Sequence, residues 1–224
     1  MQLGVSAGGW CSANDPIMTT RSAIDSFTEI ATLRIELRDS DPLIWRVVEV
    51  PTSITLKVLH DIVQVSMGWC DYHLWEMVID GKTYGPPMDE DFGTAPRKVA
   101  ERVRLRDVLT GDPTRIDYTY DFGDSWEHSL VVSDVRTGTP GIGYPRFVAG
   151  ERDCPPEDCG GIPGFYEMLE ARADPKHPDH ADIVEWLDDY DPEELDVFPI
   201  EGALGRIAAR RNAAAKRIIK PAND

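Results

Sequence analysis

Apolar and polar side chains begin to alternate near Ile30. In ATLRIELRD, Leu33, Ile35 and Leu37 alternate with Arg34, Glu36 and Arg38, the period of a half-buried strand. Turn residues at Asp39-Ser40-Asp41-Pro42 and a second apolar run, LIWRVVEV, predict a hairpin that Pro51 ends. The period then changes. Across residues 53–69, Leu56, Leu59, Val63 and Met67 recur at helical spacing and Gly68 supplies a C-cap. His60 stands on the flank of that face, where a partly exposed imidazole is expected. Residues 72–80 return to period two, with His73, Trp75, Met77 and Ile79 on one face. Asp80-Gly81 predicts a tight hairpin into residues 82–84. The following GPPMDEDFGTAPRK reads as a surface loop.

A second pair of alternating runs follows. RIDYTY places Ile116, Tyr118 and Tyr120 together, and Trp126, His128, Leu130 and Val132 share one face after the turn DFGD. Residues 146–149 suit a short strand. Pro163 suits the start of a helix with Phe165, Met168 and Leu169 inside, and residues 181–189 suit another. The pattern predicts one α+β domain over residues 29–200, a mostly antiparallel sheet packed against helices. Residues 1–28 read as a poorly ordered leader. Residues 201–224 read as a basic helix and tail in which Leu204, Ile207 and Ala208 face inward.

Charge narrows the picture. The formal net charge is −17. So acidic a surface repels phosphate backbones and leaves the basic C-terminal helix as the segment through which nucleic acid would bind. A basic protein partner for the acidic surface is the converse expectation. No window is apolar for long enough to span a membrane, and no secretory signal opens the chain, so a cytoplasmic protein is expected. The four cysteines (Cys11, Cys70, Cys154, Cys159) are too sparse for a disulfide-stapled fold.

Chemistry concentrates in residues 118–166. In GERDCPPEDCGG, Cys154 and Cys159 are four residues apart, a spacing that metal-ligand pairs use. Cys159 precedes a helix N-terminus, which favours a thiolate. His73 and His128, both aimed at apolar surroundings, would complete a two-Cys, two-His zinc site. Two plainer readings stand beside it: small buried thiols with satisfied core histidines, and a redox disulfide. Cys70 is a weaker substitute ligand. Asp121, Asp124, Glu127, Glu151, Asp153, Glu157 and Asp158 form a further option, gathered around a divalent ion or working as acid and base. The plain alternative is solvated turns, in which Asp121 and Asp124 bond local backbone amides. No phosphate loop, dinucleotide fingerprint or G-x-S-x-G elbow is present.

Three segments, GWCDYHLWEMVIDGKTYG, YTYDFGDSWEHSLVV and GERDCPPEDCGGIPGFYEML, together resemble the plasmid pRiA4b ORF-3-like family, with the opening hairpin and first helix matching its beginning. The resemblance runs from about Ile30 to about Pro199. It implies a compact α+β domain with an antiparallel sheet, carried by plasmids or insertion elements, and it brings no catalytic residue. The leading expectation is therefore a non-enzymatic accessory or binding protein with a structural zinc site. A metal-dependent hydrolase or nuclease, with Glu127 or Asp124 as base, is the enzymatic alternative. An acidic interaction module is the third.

Overall fold

The structure is a computed structural model that describes residues 28–87 and 97–219, with the side chains of 215–219 left aside. Most of the predicted leader, part of the acidic loop after Pro86 and the last residues of the tail lie outside the described residues.

Eight strands form one sheet: β1 (Glu29–Leu37), β2 (Trp45–Pro51), β3 (Trp75–Ile79), β4 (Lys82–Gly85), β5 (Lys98–Val99), β6 (Thr114–Tyr120), β7 (Trp126–Thr137) and β8 (Arg146–Glu151). Their spatial order is β5-β4-β3-β6-β7-β1-β2-β8. Every pairing is antiparallel except β4 with β5. Local hairpins make β1–β2, β3–β4 and β6–β7. The β3–β4 turn is the expected Asp80-Gly81 pair, both at positive φ. The join between halves is long-range: Leu33 of β1 lies opposite Val132 of β7.

Period two in the sequence becomes two-sidedness in the sheet. Leu33, Ile35, Leu37, Met77, Trp126, His128, Leu130 and Val132 are all buried on one face. The other face carries ion pairs: Arg38 contacts both Asp117 and Glu127, and Glu49 sits between Arg136 and Arg146.

Helix α1 (Leu56–Met67) covers the buried face. Thr55 caps it, accepting from the Val58 N–H at 3.3 Å, and Gly68 ends it in the left-handed conformation. Helices α2 (Gly161–Ala173) and α3 (His180–Leu187) pack on each other, and α4 (Val197–Ile219) packs on α1 and β8. The C-terminal helix thus begins before residue 201. It buries Ile200, Leu204 and Ala208, and Arg211 donates to the Ser53 hydroxyl at 2.9 Å. Among the described residues, no helix is long and apolar enough to cross a membrane.

Candidate metal centre

The loop from Trp69 to Leu74 joins α1 to β3 and carries His73. A closed ring of hydrogen bonds holds it. The Gln64 amide donates to the Tyr118 hydroxyl at 3.0 Å, and that hydroxyl lies 2.9 Å from His60 Nδ1. His60 Nε2 lies 2.7 Å from Asp71 Oδ1, and the Asp71 N–H returns to Gln64 Oε1 at 3.1 Å. The ring is consistent with a neutral imidazole protonated on Nε2. His60 also stacks flat on Trp75, with ring centroids 4.1 Å apart. The expectation of a partly exposed His60 is corrected: it is fully buried. The flank of α1 faces the aromatic side of β3 and β6, a long-range neighbour that helical periodicity does not reveal. Burial pulls its pKa down to about 4 against the opposing effect of Asp71.

The Cys loop, residues 152–160, is pinned to the same end of the sheet. Glu157 accepts from the Tyr120 hydroxyl at 2.5 Å and from the Cys70 N–H at 2.9 Å. Trp69 Nε1 donates to the Pro155 carbonyl, and the Gly160 N–H donates to Asp124. Gly161 must be glycine here. Its φ is +69°, and a Cβ would stand 2.3 Å from the Asp124 carbonyl oxygen.

These two loops and the β6–β7 turn converge on His73. Its Nε2 lies 3.1 Å from Asp158 Oδ1 and 3.7 Å from Asp121 Oδ2. Neither approach has hydrogen-bond geometry, so the nitrogen has no hydrogen-bond partner and no exposed surface. Asp121 is held by its turn: its N–H donates to the Leu74 carbonyl and its Oδ1 accepts from the Gly123 N–H, leaving Oδ2 toward His73. The three donor atoms lie within 4.8 Å of one another. Donors bonded to one zinc at about 2.0–2.2 Å stand about 3 to 3.5 Å apart, so a small contraction would seat an ion. Among the described residues, no lysine or arginine lies within ion-pair distance of Asp121 or Asp158.

A second triad, His60, Asp61 and Asp71, has similar spacing but already holds a cation. Lys57 Nζ sits 2.8 Å from Asp61 and 3.0 Å from Asp71, and His60 is committed to the hydrogen-bonded ring.

The sequence-derived ligands are distributed differently from the expected quartet. Of these, only His73 belongs to a triad, and neither triad contains Cys154, Cys159 or His128. His128 is paired across from Tyr118, with β6 standing between its strand and β3. Its Nδ1 meets the Trp126 carbonyl at 3.0 Å, and full burial lowers its pKa to about 3. Cys154 is buried; its sulfur accepts from Arg46 Nη2 at 3.4 Å and touches Met67 Sδ at 3.6 Å. Burial pushes both the Cys154 and Cys159 thiols up to about 12, with Asp124 and Asp158 adding to the effect at Cys159. The helix-terminus argument for a Cys159 thiolate is therefore outweighed. Both cysteines are free, as is exposed Cys70. Glu127, considered above as a base, lies on the outer face beside Arg38, because it alternates with inward-facing Trp126 and His128. Asp121 and Asp158 were visible only as members of a long set of carboxylates. Their selection depends on the turn and the Cys loop meeting across the sheet end.

Fold and site together define an α+β protein whose helix-backed antiparallel sheet gathers an imidazole and two carboxylates at one end. The chain belongs to the plasmid pRiA4b ORF-3-like family, whose pattern it matches over residues 29–198. It is 36% identical over 193 residues to the uncharacterized protein y4hQ of Sinorhizobium fredii, covering 84% of this chain and 97% of that one. It also resembles the crystal structure of MM3350, a protein of unknown function from Methanosarcina mazei Go1. That match has a TM-score of 0.68 and 35% identity, covering 76% of this chain and 96% of the other.

Proposed function

We propose that this protein is a divalent-cation-binding accessory protein, with zinc held by His73 Nε2, Asp121 and Asp158. The observation that carries the reading is the His73 nitrogen. It is removed from solvent, lacks a hydrogen-bond partner and faces two carboxylates that no lysine or arginine among the described residues neutralises. One imidazole and two carboxylates are ordinary zinc donors. The ion would join the β6–β7 turn, the His73 loop and the Cys loop, extending the pinning that Glu157 and Asp124 already provide.

Chelator-treated protein titrated with zinc should bind one equivalent by calorimetry and elemental analysis. Zinc at about 100 times its Kd should stabilise the fold by about 2.7 kcal/mol. His73→Ala and Asp121→Asn should each abolish both effects, while Cys154→Ala with Cys159→Ala should leave the stoichiometry at one. No zinc uptake by the wild type, or undiminished uptake by His73→Ala, overturns the reading.

A metal-dependent hydrolase is the second reading, favoured by the donor count. Three protein ligands leave a tetrahedral ion one position for water. Zinc-dependent cleavage of an activated p-nitrophenyl ester or phosphodiester, absent in His73→Ala, would support it. A zinc-loaded protein inert toward both leaves the binding role alone.

A further inference from the structure

Helices α2 and α3 and the turn between them enclose an open groove of about 790 Å³. Ile183 and Trp186 give it an apolar strip over the buried Met168, and Trp186 is half exposed at 52%. Glu167, Glu170, Asp174 and Asp179 line it, with Asp158 at the end nearest the metal centre. No lysine or arginine lines it, and none of the five carboxylates pairs with one among the described residues. His177 stands beside Asp179, its Nδ1 accepting the Asp179 N–H at 3.2 Å.

We propose that this groove docks a lysine- or arginine-rich amphipathic segment of a partner protein. Five convergent negative charges repel one another in the free protein, and a cationic ligand relieves that repulsion. The apolar strip selects among cations. A segment alternating leucine-type and basic side chains buries its apolar groups on Ile183 and the edge of Trp186, whose ring face is also open to a guanidinium or ammonium. A small polyamine has no bulky apolar groups to bury there, and nucleic acid carries the wrong charge. The proposal is separate from the metal reading, since Asp158 is the only carboxylate common to the two sites.

The probe is a fluorescein-labelled helical peptide of leucine and lysine, followed by anisotropy at low salt. Wild-type protein should bind it, with affinity falling as salt rises. Glu167→Gln/Glu170→Gln/Asp174→Asn should weaken binding by about tenfold or more, and Trp186→Ala by several-fold. Glu101→Gln/Glu194→Gln/Glu201→Gln changes the net charge equally at exposed positions away from the groove and should leave affinity within about twofold. His73→Ala should bind as the wild type does, so failure of the metal site and failure of the groove are distinguishable. Equal weakening by the two triple variants would show diffuse attraction to an acidic surface and overturn the proposal. So would absence of binding at low salt, or displacement by spermine at concentrations matching the peptide.

Discussion

An imidazole nitrogen shut off from water needs a partner, and the three histidines at this end of the sheet meet that need differently. His60 bonds at both, to Tyr118 and Asp71. His128 satisfies Nδ1 on the Trp126 carbonyl and leaves Nε2 unpartnered in an aromatic shell. His73 leaves Nε2 unpartnered beside carboxylates. Periodicity placed His128 on the inward face, because alternation fixes the side of a strand, whereas His73 falls in the loop before β3 and keeps a partly exposed ring. Periodicity could not say which carboxylates would meet His73, because those arrive on loops from elsewhere in the chain. Glycine identity carries a similar residue-scale test. Gly161→Ala, with its +69° φ and its 2.3 Å clash with Asp124, should lose roughly 2 kcal/mol or more by urea unfolding. Gly205→Ala, in a helix interior with nothing within 4 Å of the new Cβ, should gain about 0.5–1 kcal/mol. Equal effects of the two would contradict the packing described for the Cys loop.

Between elements, Arg46 does more joining than any alternation in the sequence suggests. It sits on β2 among inward-facing positions and is fully buried. Its Nε donates to the Ser66 carbonyl on α1 at 2.9 Å, its Nη1 to the Trp45 and Glu151 carbonyls, and its Nη2 to the Cys154 sulfur. One guanidinium therefore ties helix, its own strand β2, edge strand β8 and Cys loop through neutral acceptors. Its spread of five donors suits that task, and a lysine could not reproduce it. In the sequence LIWRVVEV this residue reads as one polar interruption. The hairpins and α1 were legible because their signals are local: alternation, a Thr or Gly cap, a two-residue turn. The insertion of β1 between β2 and β7 was not, since it pairs segments about a hundred residues apart and no short-range pattern specifies it. Arg46→Ala should cost on the order of 3 kcal/mol or more, since it leaves buried acceptors unpaired and opens a cavity. Chemical denaturation measures the loss. A thiol reagent should then reach Cys154 in the folded protein, whereas in the wild type, among the described cysteines, only exposed Cys70 should react quickly. Wild-type stability and unchanged Cys154 protection in Arg46→Ala would show that the junction is held by other contacts.

Across the whole molecule, acidity and buried histidines act in different pH ranges. The net charge of −17 belongs to carboxylates, most of which titrate below about pH 5. His60 and His128 are neutral in the folded state, with pKa values of about 4 and about 3, both depressed chiefly by burial. Unfolded, each has its ordinary value of 6.5. As pH falls below that value, the unfolded chain takes up protons that the folded chain refuses. Stability is then full above the unfolded pKa and is lost progressively until the folded pKa values are reached. By pH 5 each imidazole should remove about 2 kcal/mol, at 1.36 kcal/mol per pKa unit. Asp71, whose pKa is lowered by the Lys57 and His60 contacts against the upward effect of burial, adds its own loss only at lower pH. Between pH 7 and 5 the unfolding free energy should therefore fall by about 4 kcal/mol. His128→Phe should roughly halve that slope whatever it does to stability at pH 7. Relief of carboxylate repulsion acts in the opposite direction but begins mainly below this window. A flat or rising stability profile from pH 7 to 5 would mean that the two imidazoles take up protons in the folded protein, which the hydrogen-bonded ring around His60 and the aromatic shell around His128 do not accommodate.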